Sequence, residues 1–169
     1  MRRAGSVVGI VGALLAILAV PASARTVQPL HAEFKETFGR ATPKQCEHFL
    51  CGTGTVQGFG EATSAFDITS FEPIEGTNCA DLEGVRVITL VGDGSTLTLD
   101  EEGVVCFPGS SFFTRGSQVS FGNPAMYEGT FEVSDGSGVF NRARGSGTDR
   151  FRNAGDSGHV TLDGTLSLP

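Results

Sequence analysis

Beyond residue 24 the chain shows no helical periodicity, and its apolar residues recur with period two in short runs broken by glycine. The cleanest run is Leu30 to Phe38. Leu30, Ala32, Phe34, Glu36 and Phe38 share one face, and His31, Glu33, Lys35 and Thr37 share the other. Such a pattern folds as strands with one face buried, so bundles and doubly wound α/β folds are excluded.

Further strands are expected over Cys51 to Phe59 and Glu61 to Phe71, joined at a bulge or sharp corner near Gly58-Phe59-Gly60. Glu72 to Leu82 reads as a loop, and Gly84 to Val91 with Ser95 to Asp100 as a hairpin around Gly92-Asp93-Gly94. Glu101-Glu102-Gly103 reads as a turn into a short strand, Val104 to Phe107. Pro108 to Pro124 is irregular, and its Phe112, Phe113 and Phe121 are expected to cover an apolar edge or opening. Then follow a strand from Ala125 to Ser134, a turn at Asp135 to Gly138, and a short strand at Val139-Phe140. A strand near Gly145 to Arg152, a turn at Asn153 to Gly158 and a last strand from His159 to Leu168 complete the chain. About eight or nine short strands in one domain leave a β-sandwich or a closed antiparallel β-barrel. The barrel of about eight strands is preferred, because closure removes sheet edges that few Lys or Pro residues guard here.

Met1-Arg2-Arg3, the apolar run Val7 to Val20 and the small residues Pro21-Ala22-Ser23-Ala24 read as a secretory signal peptide over residues 1–24. The run is shorter than the ~20 residues needed to span a bilayer. Residues 25–169 are then a single secreted, extracellular domain with no membrane attachment after cleavage. Without Arg2 and Arg3 the chain keeps 10 Lys and Arg against 19 Asp and Glu, a formal charge of −9. That balance argues against nucleic acid as a partner. Cys46, Cys51, Cys79 and Cys106 read as two disulfides in an exported chain. Cys46–Cys51 with Cys79–Cys106 is the favoured pairing, the alternatives remaining open. Phenylalanine, at 13 residues, carries the aromatic burial, with a single tyrosine and no tryptophan.

The segment Gly136-Ser137-Gly138-Val139-Phe140-Asn141-Arg142-Ala143-Arg144-Gly145 resembles the Gly-[Ser/Thr]-Gly-x-Phe-x-x-Ala-Arg-Gly signature of the dirigent and allene oxide cyclase-like barrel superfamily. Gly52 to Gly60 is similar to the glycine-rich early hairpin of those barrels. The resemblance implies an eight-stranded barrel, and an activity such as steering radical coupling or cyclising an unsaturated lipid. It places Arg144 on the signature arginine. The pocket aspartates of the superfamily match no motif here. In physical terms, Gly136 and Gly138 permit positive φ, Phe140 plugs a barrel end, and Ala143 and Gly145 permit close backbone crossing.

Candidate ligand contacts are Arg144, Glu36, Tyr127 and Phe113. Strand parity sends Arg142, Arg144, Arg150 and Arg152 to the solvent face, against the alternative of an arginine-lined opening for an anionic ligand. Glu36 lies on an inward face, where a carboxyl would titrate high, but at the strand end it is expected to sit wet at the barrel rim. Gly155-Asp156-Ser157-Gly158-His159 echoes a serine-protease motif without its partners and reads as a turn. The histidines His31, His48 and His159 lack metal-site spacing, and no cofactor is implied. Three functions stay open: a barrel binding a small apolar or aromatic ligand, a dirigent- or cyclase-type enzyme, and a structural or interaction protein with a filled barrel. An oligomer is compatible with each.

Overall fold

Period-two alternation builds every wall of the molecule. The computed structural model describes residues 25–39, 46–110, 112, 124–153 and 155–169. Its strands are β1 (Thr26–Phe38), β2 (Leu50–Val56), β3 (Gly60–Pro73), β4 (Cys79–Leu90), β5 (Thr96–Cys106), β6 (Met126–Gly136), β7 (Arg144–Asn153) and β8 (Ser157–Leu168). Each pairs antiparallel with its sequence neighbours, and β1 pairs with β8 from Thr26↔Leu168 to Thr37↔Ser157, so the eight strands close into a barrel. The sandwich alternative is thereby excluded. The signal peptide, Phe113 and Phe121 fall outside the described residues.

One barrel end is sealed. Gly138–Phe140 forms a single 3-10 turn rather than the short strand expected at Val139-Phe140. Gly138 takes φ 58° and Arg142 φ 59°, a left-handed backbone that turns the chain too tightly for pairing. The turn drives Phe140 inward until it is fully buried, its ring 4.7 Å from that of Phe59.

Further sequence expectations need correction. Glu101-Glu102-Gly103 is not a turn but the middle of β5. Charged residues beside glycine carry turn chemistry, yet Glu101 here points inward to an arginine, and that contact holds the strand straight. Glu72 to Leu82 is mostly strand, since β3 runs to Pro73 and β4 starts at Cys79. Gly58-Phe59-Gly60 is a tight hairpin turn with Gly58 at φ 82°, and the register shifts lie elsewhere, at Ile68/Ser70 and near Thr98/Leu99. Phe112 is 68% exposed and covers no apolar edge.

The disulfides are Cys46–Cys51 and Cys79–Cys106. Cys79 and Cys106 stand directly opposite each other on β4 and β5, so the second bond staples a ladder already in register. A chain-entropy model assigns it about 3–4 kcal/mol and the short Cys46–Cys51 loop about 2 kcal/mol. Replacing Cys79 and Cys106 by alanine should therefore lower the thermal midpoint more than replacing Cys46 and Cys51, as differential scanning calorimetry would show.

Candidate functional site in the barrel interior

The inward positions of the strands stack in layers, and the middle layer is charged. Glu36 comes from β1, Ser64 from β3, Arg86 from β4, Glu101 from β5 and Asp149 from β7, all buried. Arg86 is the centre. Its Nη1 donates to Glu36 Oε1 and, at 2.8 Å, to Ser64 Oγ. Its Nε donates to Glu101 Oε1 at 2.5 Å, and its Nη2 lies 3.4 Å from Glu101 Oε2 and 3.8 Å from Asp149 Oδ2. Ser64 in turn donates to Glu36 Oε1 at 2.6 Å. The guanidinium rests over the Phe66 ring at 5.0 Å, a cation–π contact.

Glycine makes room for this layer. The Phe66 ring occupies the space where a side chain on Gly84 would stand, two residues before Arg86 on the same inward face. Gly103 and Gly129, opposite each other on β5 and β6, leave space in the same way for the Tyr127 ring.

Toward the end of the barrel away from Phe140, the charged layer meets a cavity of about 40 Å³. Arg86 and Glu101 floor it, and Phe38, Phe49, Leu50, Phe66, Tyr127 and Phe151 are among its walls. Glu36 and Asp149 lie behind the floor. Four buried atoms find no hydrogen-bond partner among the described residues: Glu36 Oε2, Tyr127 Oη and both Asp149 oxygens. Each such group costs about 1–3 kcal/mol while it stays unsatisfied.

The electrostatics follow from burial and charge count. Burial and then the neighbouring Glu101 push the Asp149 carboxyl well above the ordinary carboxylate range, and Arg86 offsets them only partly. Burial would lower Arg86, but Glu101, Glu36 and Asp149 outweigh it and hold the guanidinium charged. Burial, then Asp149 and Glu101, push the Tyr127 hydroxyl far above an ordinary tyrosine. With a proton on Asp149, two carboxylates face one guanidinium and the layer carries one net negative charge.

Of the sequence candidates, Glu36 and Tyr127 belong to this interior and Arg144 does not. Glu36 is fully buried rather than wet at the rim, because β1 continues to Phe38 and Arg86 reaches across to it. Arg142, Arg144, Arg150 and Arg152 face solvent as parity required, and Arg152 lies 3.7 Å from Glu128. An opening lined by these arginines is thus not the cavity. Ser157 starts β8 and His159 points outward, and His31 and His48 bond surface Asp163 and Asp67 at 2.7 Å each. Sequence reasoning missed Arg86, Glu101 and Asp149. The signal was available: each shares parity with buried neighbours, Arg86 with Leu82 and Ile88, Glu101 with Leu99 and Val105, Asp149 with Phe151.

Comparisons with family models, with characterised proteins and with solved structures find no match to this chain. The site stands on its own geometry.

Two substitutions test the charge assignment. Arg86→Met strands three acids in the interior and should cost about 3–5 kcal/mol at neutral pH. The loss should shrink as pH falls and the acids protonate. Asp149 retains in the fold a proton that the unfolded chain releases, so its contribution is complete below the unfolded pKa and is lost as pH rises through the raised folded pKa. Asp149→Asn should therefore gain stability relative to the parent as pH rises. Urea denaturation across pH would show both trends, and parallel curves for Asp149→Asn and the parent would contradict the assignment.

Proposed function

We propose that the chain is an exported β-barrel that binds a small apolar or aromatic molecule through the end of the barrel opposite Phe140. The ligand lays its body against the phenylalanines of the cavity and sets a slender polar head on the floor made by Arg86, Glu101 and Tyr127. One observation carries this reading: an apolar cavity ends on the buried Arg86 and Glu101 and on the Tyr127 hydroxyl, which has no hydrogen-bond partner among the described residues. A barrel needed only as a scaffold gains little stability from such a layer, since apolar replacements of buried ion pairs are often neutral or stabilising by about 1–4 kcal/mol. Buried, strongly shifted acids beside a cavity mark functional sites more often than scaffolding. The volume of about 40 Å³ suits a head group rather than a whole ligand. Export rests on the basic, apolar and small-residue succession of residues 1–24, and two disulfides are compatible with it.

A second reading has its own support. A protonated Asp149 and an unpartnered Tyr127 hydroxyl stand close to an apolar cavity, as an enzyme of the dirigent or cyclase type would need to orient a substrate and deliver a proton. The resemblance of residues 136–145 to that superfamily agrees with it.

Purification from the culture medium, followed by mass spectrometry under native and denaturing conditions, tests the main reading. The chain should begin at Arg25 and release a small apolar or aromatic molecule on denaturation. Ala125→Trp, which fills the cavity wall, should carry none while keeping its fold by circular dichroism. The same molecule retained by that variant would place binding elsewhere and overturn the proposal.

A further inference from the structure

Among the described residues, three polar side chains reach the cavity: Arg86, Glu101 and Tyr127. Two of them answer each other. Arg86 spends Nε on Glu101 and Nη1 on Glu36 and Ser64, and turns Nη2 toward Glu101 Oε2 and Asp149. An anionic head would find those donors engaged and would meet the Glu101 carboxylate. A cationic head would meet the guanidinium, to which Glu101 is already paired. The third side chain is different. Tyr127 is buried, and its hydroxyl has no hydrogen-bond partner among the described residues. Its seat is built for it. A side chain on Gly129 would fall on the Tyr127 oxygen itself, and one on Gly103 would crowd the ring. Phenylalanine at this position would fill the space without burying an unpaired O–H, so packing alone does not call for tyrosine. A buried water usually makes about 3 hydrogen bonds, and this hydroxyl is the one unpartnered atom of the described lining, so the floor suits a single oxygen on an apolar body better than water.

We propose that the cavity takes a neutral molecule with one accepting oxygen, a ketone, aldehyde or ester carbonyl on an apolar or aromatic body, and that the Tyr127 hydroxyl donates to that oxygen. This rests on the reading of the cavity as a ligand site and names its ligand class. No bond is made or broken and no proton is exchanged, so the charge of the interior layer is the same with the ligand bound or absent. The walls suit the body of such a molecule. Phe38 stands edge-on to Phe49 and to Phe151, with ring centres 5.6 Å and 6.5 Å apart, and all three rings line the cavity. Specificity follows from the single hydroxyl. An analogue without the oxygen leaves the buried O–H unpaired, and that penalty lets one polar group reject a molecule of nearly the same shape.

Acetophenone, ethylbenzene, benzoate and benzylamine share a phenyl ring and differ in the head, so they serve as probes of the full mature chain. Isothermal titration reads affinity, and amide chemical-shift mapping reads location. The infrared carbonyl stretch of bound acetophenone reads the hydrogen bond itself. Acetophenone should bind roughly fivefold or more tightly than ethylbenzene, with shifts around Phe66, Arg86, Glu101 and Tyr127. Its carbonyl stretch should lie at lower frequency than in hexane. Benzoate and benzylamine should bind more weakly than either. Tyr127→Phe should bring acetophenone down to the affinity of ethylbenzene and return its stretch to the hexane value. The probe series and the infrared shift on the parent chain need no variant, so a misfolded Tyr127→Phe leaves the test intact. Ethylbenzene binding as well as acetophenone, or a stretch at the hexane value, would overturn the carbonyl assignment and keep the cavity as an apolar-ligand site. Benzoate or benzylamine binding at the cavity more tightly than acetophenone would overturn the neutral class. A preference for acetophenone that survives in a folded Tyr127→Phe would overturn the role of the hydroxyl. No shift at the cavity with any probe would overturn both this proposal and the ligand-binding reading.

Discussion

A guanidinium withdrawn from water must be surrounded by acceptors, and in this barrel that requirement organises five strands at once. Arg86 on β4 draws in Glu36 from β1, Ser64 from β3 and Glu101 from β5, with Asp149 of β7 standing behind them. Strands β1, β4 and β7 are not neighbours in the barrel, while β5 lies beside β4. The contacts therefore cross the interior, and a register slip in any one strand would turn its partner out to solvent. Removing Arg86 leaves the buried acids unpaired, a cost of about 3–5 kcal/mol against a total stability of about 5–15 kcal/mol. The charged layer thus makes register and closure interdependent, which apolar layers alone would do less sharply.

The rest of the interior is shaped to hold that layer. On one side, Phe140 and Phe59 seal the barrel, and the side chains between them and the arginine fill it. On the other, aromatic rings line the cavity, and Phe66 and Tyr127 fit only because Gly84, Gly103 and Gly129 leave room for their rings. The result is asymmetric: one end is filled by its own side chains, and the other, among the described residues, keeps an apolar cavity with Arg86 and Glu101 at its floor. A barrel of eight strands is about wide enough to be filled completely by side chains. The space left above Arg86 is in that sense a departure from the simplest packing, and it coincides with the unpartnered polar atoms.

Much of the fold was legible because strands announce themselves by alternation. Leu30 to Phe38, the Gly92-Asp93-Gly94 hairpin and the outward arginines of β7 follow from period and turn chemistry, and the structure agrees with each; the disulfide pairing favoured among three open ones is the one formed. Where the reading failed, it failed on polar residues at inward positions. Glu101 sits between Asp100 and Glu102, so local composition says turn, while the parity it shares with Leu99 and Val105 says core. Glu36 was placed at the right face but the wrong depth. Arg86 and Asp149 drew no attention because a charged residue in a strand is normally solvated. Glu36 and Glu101 lie 50 and 15 positions from Arg86 in sequence and meet it only through the fold. No local pattern encodes a contact across a barrel.

The central claim is that the interior layer holds a proton on Asp149 beside the paired Arg86. Infrared difference spectroscopy of the folded chain at neutral pH, with Asp149→Asn as the subtraction, reads it directly. A carbonyl stretch of a protonated carboxylic acid that disappears in the variant is the expected result. A carboxylate band in its place would show Asp149 ionised, and would contradict the account of the interior charge.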